Sequence, residues 1–145
     1  MSTNDPFVIE RLYNAPVERV WKALTNKNEM KHWYFDIAEF KPEVGFEFGF
    51  EGRNKDMVYH HRCKIIEVTK NKKLQYSWQY QGHEGYSVVT FELFDEHGNT
   101  RLKLTHEGIE SFPATPDFKK QNFVDGWNHI IGKSLLEYVE KNPAQ

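Results

Sequence analysis

The chain of 145 residues has one cysteine, Cys63, so no internal disulfide can staple it. A lone thiol, with no signal-peptide pattern at the N-terminus, points to a reducing cytoplasm. No apolar run approaches the roughly 20 residues that span a bilayer, which excludes an integral membrane segment of that kind. Positive charge is not in excess: 19 Lys and Arg stand against 21 Asp and Glu, for a net charge of −2. No basic stripe forms, and the KNKK run from Lys70 to Lys73 reads as a solvated hairpin tip, so nucleic acid is not the expected partner. Phosphate loops, nucleophile elbows and paired metal-ligand spacings are all missing, which leaves dedicated catalysis weakly supported and predicts no cofactor and no metal. Repeats, linkers and low-complexity tracts are missing too. A length of 145 residues suits one domain, 1–145, able to bury roughly 70% of its unfolded surface.

Aromatic residues are plentiful instead. Four Trp, seven Tyr and eleven Phe make 15% of the chain. Many fall at alternate positions of predicted strands, and alternation places side chains on one sheet face. Strands are predicted over Phe7–Tyr13, Phe35–Phe40, Gly45–Gly52 and Met57–Thr69, followed by three more. The shared faces are Phe46, Phe48 and Phe50; Tyr59, His61, Cys63 and Ile65; Leu74, Tyr76, Trp78 and Tyr80; Ser87, Val89, Phe91 and Leu93; and Thr100, Leu102, Leu104 and His106. Val68 reverses the parity of Ile65, which predicts a bulge near Ile65 and Ile66. Pro16 suits the first position of a helix with Ala15 or Asn14 as its cap, and Asn26 with Glu29 resembles a capping box for a second short helix.

The longest helical pattern is the last, NFVDGWNHIIGKSLLEYVEK from Asn122 to Lys141. Phe123, Trp127, Ile130, Ile131, Ser134 and Tyr138 recur at steps of three and four, on one face. The segment from Gly108 to Gln121 reads as a connecting flap. The fold class is therefore α+β: a strand, two short helices, about six antiparallel strands and one long helix covering the sheet.

Candidate chemistry is sparse. His61 and Cys63 share a strand face, but two groups do not make a metal site. His60 points the other way. Asp125 and His129, four apart on the solvent side of the last helix, read as a surface ion pair. Ser134 either bonds a ligand or returns its hydroxyl to the carbonyl four residues back. His106 falls where it can meet Trp127 and frame a cavity mouth, or stand as a satisfied core histidine. Rings with polar tips on adjacent strands describe a lined pocket better than a dry core.

Five segments in order carry a family resemblance: NAPVERVWKALTNKNEMKHWY (Asn14–Tyr34), PEVGFEFGF (Pro42–Phe50), KKLQYSW (Lys72–Trp78), VVTFELFDEHGNTRLKLTHEG (Val88–Gly108) and GWNHIIGKSLLEYVE (Gly126–Glu140). Together they resemble the activator-of-heat-shock-ATPase-like (AHSA-type) domains of the START-like, helix-grip superfamily. The resemblance covers nearly the whole chain. It implies a curved antiparallel sheet of six to seven strands gripping the last helix around a cavity. Superfamily members hold lipids, polyketides and other apolar molecules there, and some are cyclases. The family's namesake activates a heat-shock chaperone ATPase, with help from a domain outside these 145 residues. Two departures stand out. Phe46 replaces the second glycine of the usual pair, and the strand at His60, His61 and Arg62 is bulky. Both imply a narrower or differently shaped cavity.

The expected function is non-catalytic binding of a small hydrophobic, lipid-like or aromatic ligand between sheet and helix. The expected contacts are Tyr59, His61, Tyr76, Trp78, Tyr80, Phe91, His106, Trp127 and Ser134. The alternatives are a chaperone-activating, stress-related interaction module and a cyclase-like enzyme using cavity His and Tyr. Monomer and homodimer are both open.

Overall fold

A computed structural model describes residues 6–34, 37, 39–54, 57–113 and 120–141. Six strands form one antiparallel sheet: β1 (Phe7–Tyr13), β2 (Glu47–Asn54), β3 (Met57–Thr69), β4 (Lys73–Tyr80), β5 (Ser87–Glu96) and β6 (Asn99–Glu107). Their order across the sheet is β1-β6-β5-β4-β3-β2. The expected strand at Phe35–Phe40 falls partly outside the described residues, and Ile37, Glu39 and Phe40 are not in a strand.

Alternation sets the faces as the sequence predicts. Thr100, Leu102, Leu104 and His106 are fully buried along β6, and Ser87, Val89, Phe91 and Leu93 are buried beside them on β5. β5 and β6 pair Val89 with His106 and Phe91 with Leu104, so like faces meet. The pairing of β3 with β4 shifts between Ile65 and Glu67, which turns Ile66 outward. On β1 the ambiguity resolves in favour of Ile9 and Tyr13, with Val8 and Leu12 exposed. The tip between β5 and β6 puts both His97 and Gly98 at positive φ, the geometry that a tight two-residue hairpin turn requires.

The bend before β2 does not need the second glycine of the family pattern. Gly45, at φ 91°, makes the turn, and its N–H bonds the Ile65 carbonyl at 2.8 Å. Ile65 N–H returns a bond to the Phe46 carbonyl at 2.9 Å, while the Phe46 ring packs edge-on against Phe40.

Two short helices follow β1: α1 (Val17–Thr25) and α2 (Lys27–Trp33). Pro16 is the N-cap of α1 rather than its first helical residue. Asn26 caps α2 as expected, accepting from Asn28 N–H at 2.9 Å. Glu29 does not reach back to close a capping box. It turns instead to Arg19 of α1, where Oε1 meets Nη1 at 2.6 Å, and Tyr138 O–H donates to the same oxygen at 3.1 Å. The Arg19 guanidinium also lies over the Tyr138 ring, 5.2 Å from its centroid. Removing one member of such a buried pair leaves an uncompensated charge, so the arrangement holds the last helix against the first two.

That last helix is α3 (Lys120–His129), a π-helical turn over Ile130–Ser134, and α4 (Leu135–Lys141). Its buried stripe is Phe123, Trp127, Ile131, Leu135 and Val139. This corrects the expected face: Ile130, Ser134 and Tyr138 only flank it, and Leu135 and Val139 were missed. The physical reason is the π turn. Steps of four drift about 40° each in an α-helix, about 160° over the stripe, and would carry Val139 off the sheet. The wider turn takes up more than half of that drift. Leu135 N–H reaches the Ile130 carbonyl five residues back. The Ile131 carbonyl accepts from the buried Tyr13 hydroxyl of β1 at 2.6 Å. Tyr13→Phe should therefore cost about 1–2 kcal/mol in urea unfolding. An unchanged midpoint would mean that this carbonyl is satisfied without Tyr13.

Candidate functional site

The best-defined polar chain in the interior runs through His106. It is the penultimate residue of β6 and has no exposed surface. Trp127 Nε1–H donates to Nδ1 at 3.0 Å, and Nε2 lies 2.9 Å from Ser87 Oγ. An indole N–H only donates, so Nδ1 is the acceptor and the proton sits on Nε2. Ser87 O–H then passes the chain to the Trp78 carbonyl at 2.9 Å. Burial pushes the imidazole pKa down to about 3, so the ring is neutral at pH 7. His106 meets Trp127 as expected. It does so in the interior rather than at a mouth, with both nitrogens engaged, and it joins the last helix to β5 and β6.

Trp78 of β4 is the centre of a ring cluster. His61 lies 4.9 Å away, His106 5.5 Å, Phe50 5.6 Å, Trp127 5.6 Å and Tyr80 6.4 Å between centroids. These separations suit the edge-to-face and offset contacts that ring quadrupoles prefer. His61 stacks on Phe50 at 4.4 Å and 16°. A Cβ on Gly52 would come within 2.7 Å of the His61 ring, so the glycine makes the room that the imidazole occupies. Burial lowers the His61 pKa to about 4.

Polar tips punctuate this apolar wall. The Tyr34 and Tyr76 hydroxyls meet at 2.9 Å, and burial raises the pKa of both. Burial likewise keeps the Tyr80 hydroxyl and the Cys63 thiol protonated. Trp78 Nε1 is buried with no hydrogen-bond partner. The Tyr80 hydroxyl oxygen stands close enough for a weak hydrogen-bonding influence of Trp78 on its pKa, but the contact falls short of good bonding geometry.

The other expected residues divide. Phe91 joins the cluster, 6.1 Å from Trp127 and 5.9 Å from Tyr76. Tyr59 stands at its outer end, half-buried between Tyr80 and His83. Ser134 does not join it. Its hydroxyl donates to the Trp33 carbonyl at 2.8 Å, rather than to the carbonyl four residues back. Asp125 lies on the solvent side but accepts from Gln121 at 2.8 Å instead of pairing with His129. His60 is exposed on the opposite face, near Glu51.

Sequence reasoning missed Tyr34, Phe50 and Phe112 as members. Phe50 could have been found, because a β2–β3 hairpin sets it opposite His61. Phe112 stacks on Phe123 and meets Tyr80 edge-on, and Tyr34 stacks on Trp127 at 6.3 Å. Both lie outside any periodic segment, so no pattern marks them. Among the described residues, no group of three or more His, Cys, Asp or Glu could hold a metal ion.

A groove of about 480 Å³ lies along β2 and β3, at the exposed Gly49, Glu51 and His60. Glu47, Glu51, His60, Arg62 and Gln81 line it over Gly49, with Phe48, Phe50, His61 and Cys63 also contributing. Its polar, mixed-charge rim suits water and ions better than an apolar molecule. No helix among the described residues is long and apolar enough to cross a membrane.

Comparison with known proteins adds a family. A family model described as Activator of Hsp90 ATPase homolog 1-like protein matches residues 14–140. Among solved structures, protein MLL2253 from Mesorhizobium loti is 27% identical with a TM-score of 0.75, covering 94% of this chain and 98% of its own. Protein CV1439 from Chromobacterium violaceum is 21% identical with a TM-score of 0.82, covering 96% and 99%. CalU16 from Micromonospora echinospora is 24% identical with a TM-score of 0.72, covering 96% and 76%. No curated protein matches the sequence.

Proposed function

The chain belongs to the family of Activator of Hsp90 ATPase homolog 1-like proteins, and we propose that it binds a small apolar molecule between the inner sheet face and the last helix. One observation carries this reading: neutral polar tips are set inside a continuous ring cluster drawn from β2, β3, β4, β5 and α3. Apolar walls with a few placed hydrogen-bonding groups are the usual composition of a small-molecule site. Tyr76, Trp78, Tyr80, His61, Phe91 and Trp127 form the proposed contact set. No cofactor is part of the proposal.

The test is a screen of flat aromatic and acyl compounds followed by the indole N–H signals of the protein. Binding in the proposed place moves the Trp78 and Trp127 signals and leaves the surface amides of β2 still. A screen in which every binder shifts only surface amides removes this reading. The family description favours a second reading, contact with a chaperone. It predicts faster chaperone ATP hydrolysis on adding this chain, and an unchanged rate counts against it. A cyclase-like role has fewer groups to work with. Both nitrogens of His106 are already engaged, which leaves His61 as the other imidazole of the cluster around Trp78.

A further inference from the structure

Trp78 Nε1 is a buried donor without a well-formed hydrogen bond, the Tyr80 oxygen beside it lying out of good bonding geometry. The side chain is 95% buried, being 5% exposed, and its N–H has no partner. The contrast is with its neighbours: Trp33 N–H reaches the Ala23 carbonyl at 2.9 Å, and Trp127 N–H reaches His106. Buried donors are almost always paired, and an unpaired one in a ring-lined interior calls for an acceptor from outside the chain. Nearby groups favour a neutral partner. His61 and His106 are neutral at pH 7, and the Tyr76 and Tyr80 hydroxyls keep their protons. Among the described residues the one buried cation is Arg19, which is already paired with Glu29, so a carboxylate entering the cluster would lose its hydration without a counter-charge. The walls are ring faces and edges, which pair best with other rings.

We infer that the interior selects a neutral, flat aromatic molecule carrying an acceptor oxygen, and that Trp78 N–H is the group that recognises that oxygen. This rests on the proposed site between sheet and helix, and goes further by naming the ligand chemistry and the residue that reads it. The oxygen belongs to a ketone, an ether or an ester. An acid ionised at pH 7 is disfavoured.

Three probes test it: 9-fluorenone, fluorene, which has the same rings without the carbonyl, and 9-fluorenone-4-carboxylate. Fluorenone should bind about tenfold more tightly than fluorene, the worth of one buried hydrogen bond. On adding fluorenone the Trp78 indole proton should move downfield, and fluorene should move it much less. Trp78→Phe should keep its affinity for fluorene and lose the preference for fluorenone. If that variant does not fold, the indole signal of the unaltered protein decides by itself. Equal affinity for the two probes, or tight fluorenone binding with the Trp78 signal unmoved, overturns the inference and leaves the site between sheet and helix standing. Carboxylate binding as tight as fluorenone at pH 7 overturns its neutral-ligand half. If neither fluorenone nor fluorene binds, the inference falls, and the acyl compounds of the wider screen decide the proposed site by themselves.

Discussion

Replacing His106 with Ala should lower the free energy of unfolding by about 4 kcal/mol, more than an ordinary core truncation of similar size. Three losses add. The Trp127 N–H loses its acceptor and Ser87 Oγ loses its donor, both in the interior. Each buried orphan costs about 1–3 kcal/mol. An imidazole-sized space opens as well, with a penalty that grows with the volume left behind. Urea unfolding measures the sum. The mechanism predicts more than a magnitude. Trp127→Phe removes the donor that needs His106, so His106→Ala should cost less in that background than in the native one. Strictly additive effects would mean that the two side chains do not depend on one another.

Acidification should destabilise the protein well above the range where carboxylates titrate. His61 and His106 have pKa values lowered to about 4 and about 3 by burial, while an unfolded histidine titrates near 6.5. The unfolded chain therefore binds protons that the folded one refuses, and stability falls as pH falls. Their contribution is complete above about pH 6.5. It is lost from there downward, until the pH passes the folded values near 4 and 3. Each histidine contributes a slope that approaches about 1.4 kcal/mol per pH unit, so the two together cost roughly 2.4 kcal/mol between pH 6 and 5. Chemical unfolding at pH 7, 6 and 5 measures it, and His61→Phe should halve the slope. A flat profile between pH 7 and 5 would mean that both rings are solvated, and a half slope in the unaltered protein that one of them is.

Which side chains face inward was legible in the sequence because a strand has only two faces. Once Leu74, Tyr76, Trp78 and Tyr80 alternate, their common side follows from backbone geometry alone. The bulge was legible for the same reason, as a break in that parity. The last helix was misread in part. Phe123, Trp127, Ile131, Leu135 and Val139 recur at strict steps of four, which drift around an ideal α-helix, and the π turn takes back enough of that drift to keep them all buried. Nothing in the residue pattern marks that turn, since Tyr13, which bonds the Ile131 carbonyl there, lies 118 residues away in the chain.

Partner choice was the least legible part of the site. Ser134 and Glu29 each had a plausible local partner, and each bonds another element instead: Ser134 the end of α2, and Glu29 both α1 and α4. Tyr34 enters the cluster from just beyond α2, where no period constrains it. Such contacts depend on how the elements are brought together, which no local signal encodes.

The central claim is that the ring cluster around Trp78 is a place for a ligand. A structure of the protein with the tightest binder from the aromatic screen tests it most directly. The molecule should lie between β4 and the last helix, against the rings of Trp78, Trp127 and Tyr76. A binder seated only in the groove over Gly49, with those three rings unmoved, would contradict it.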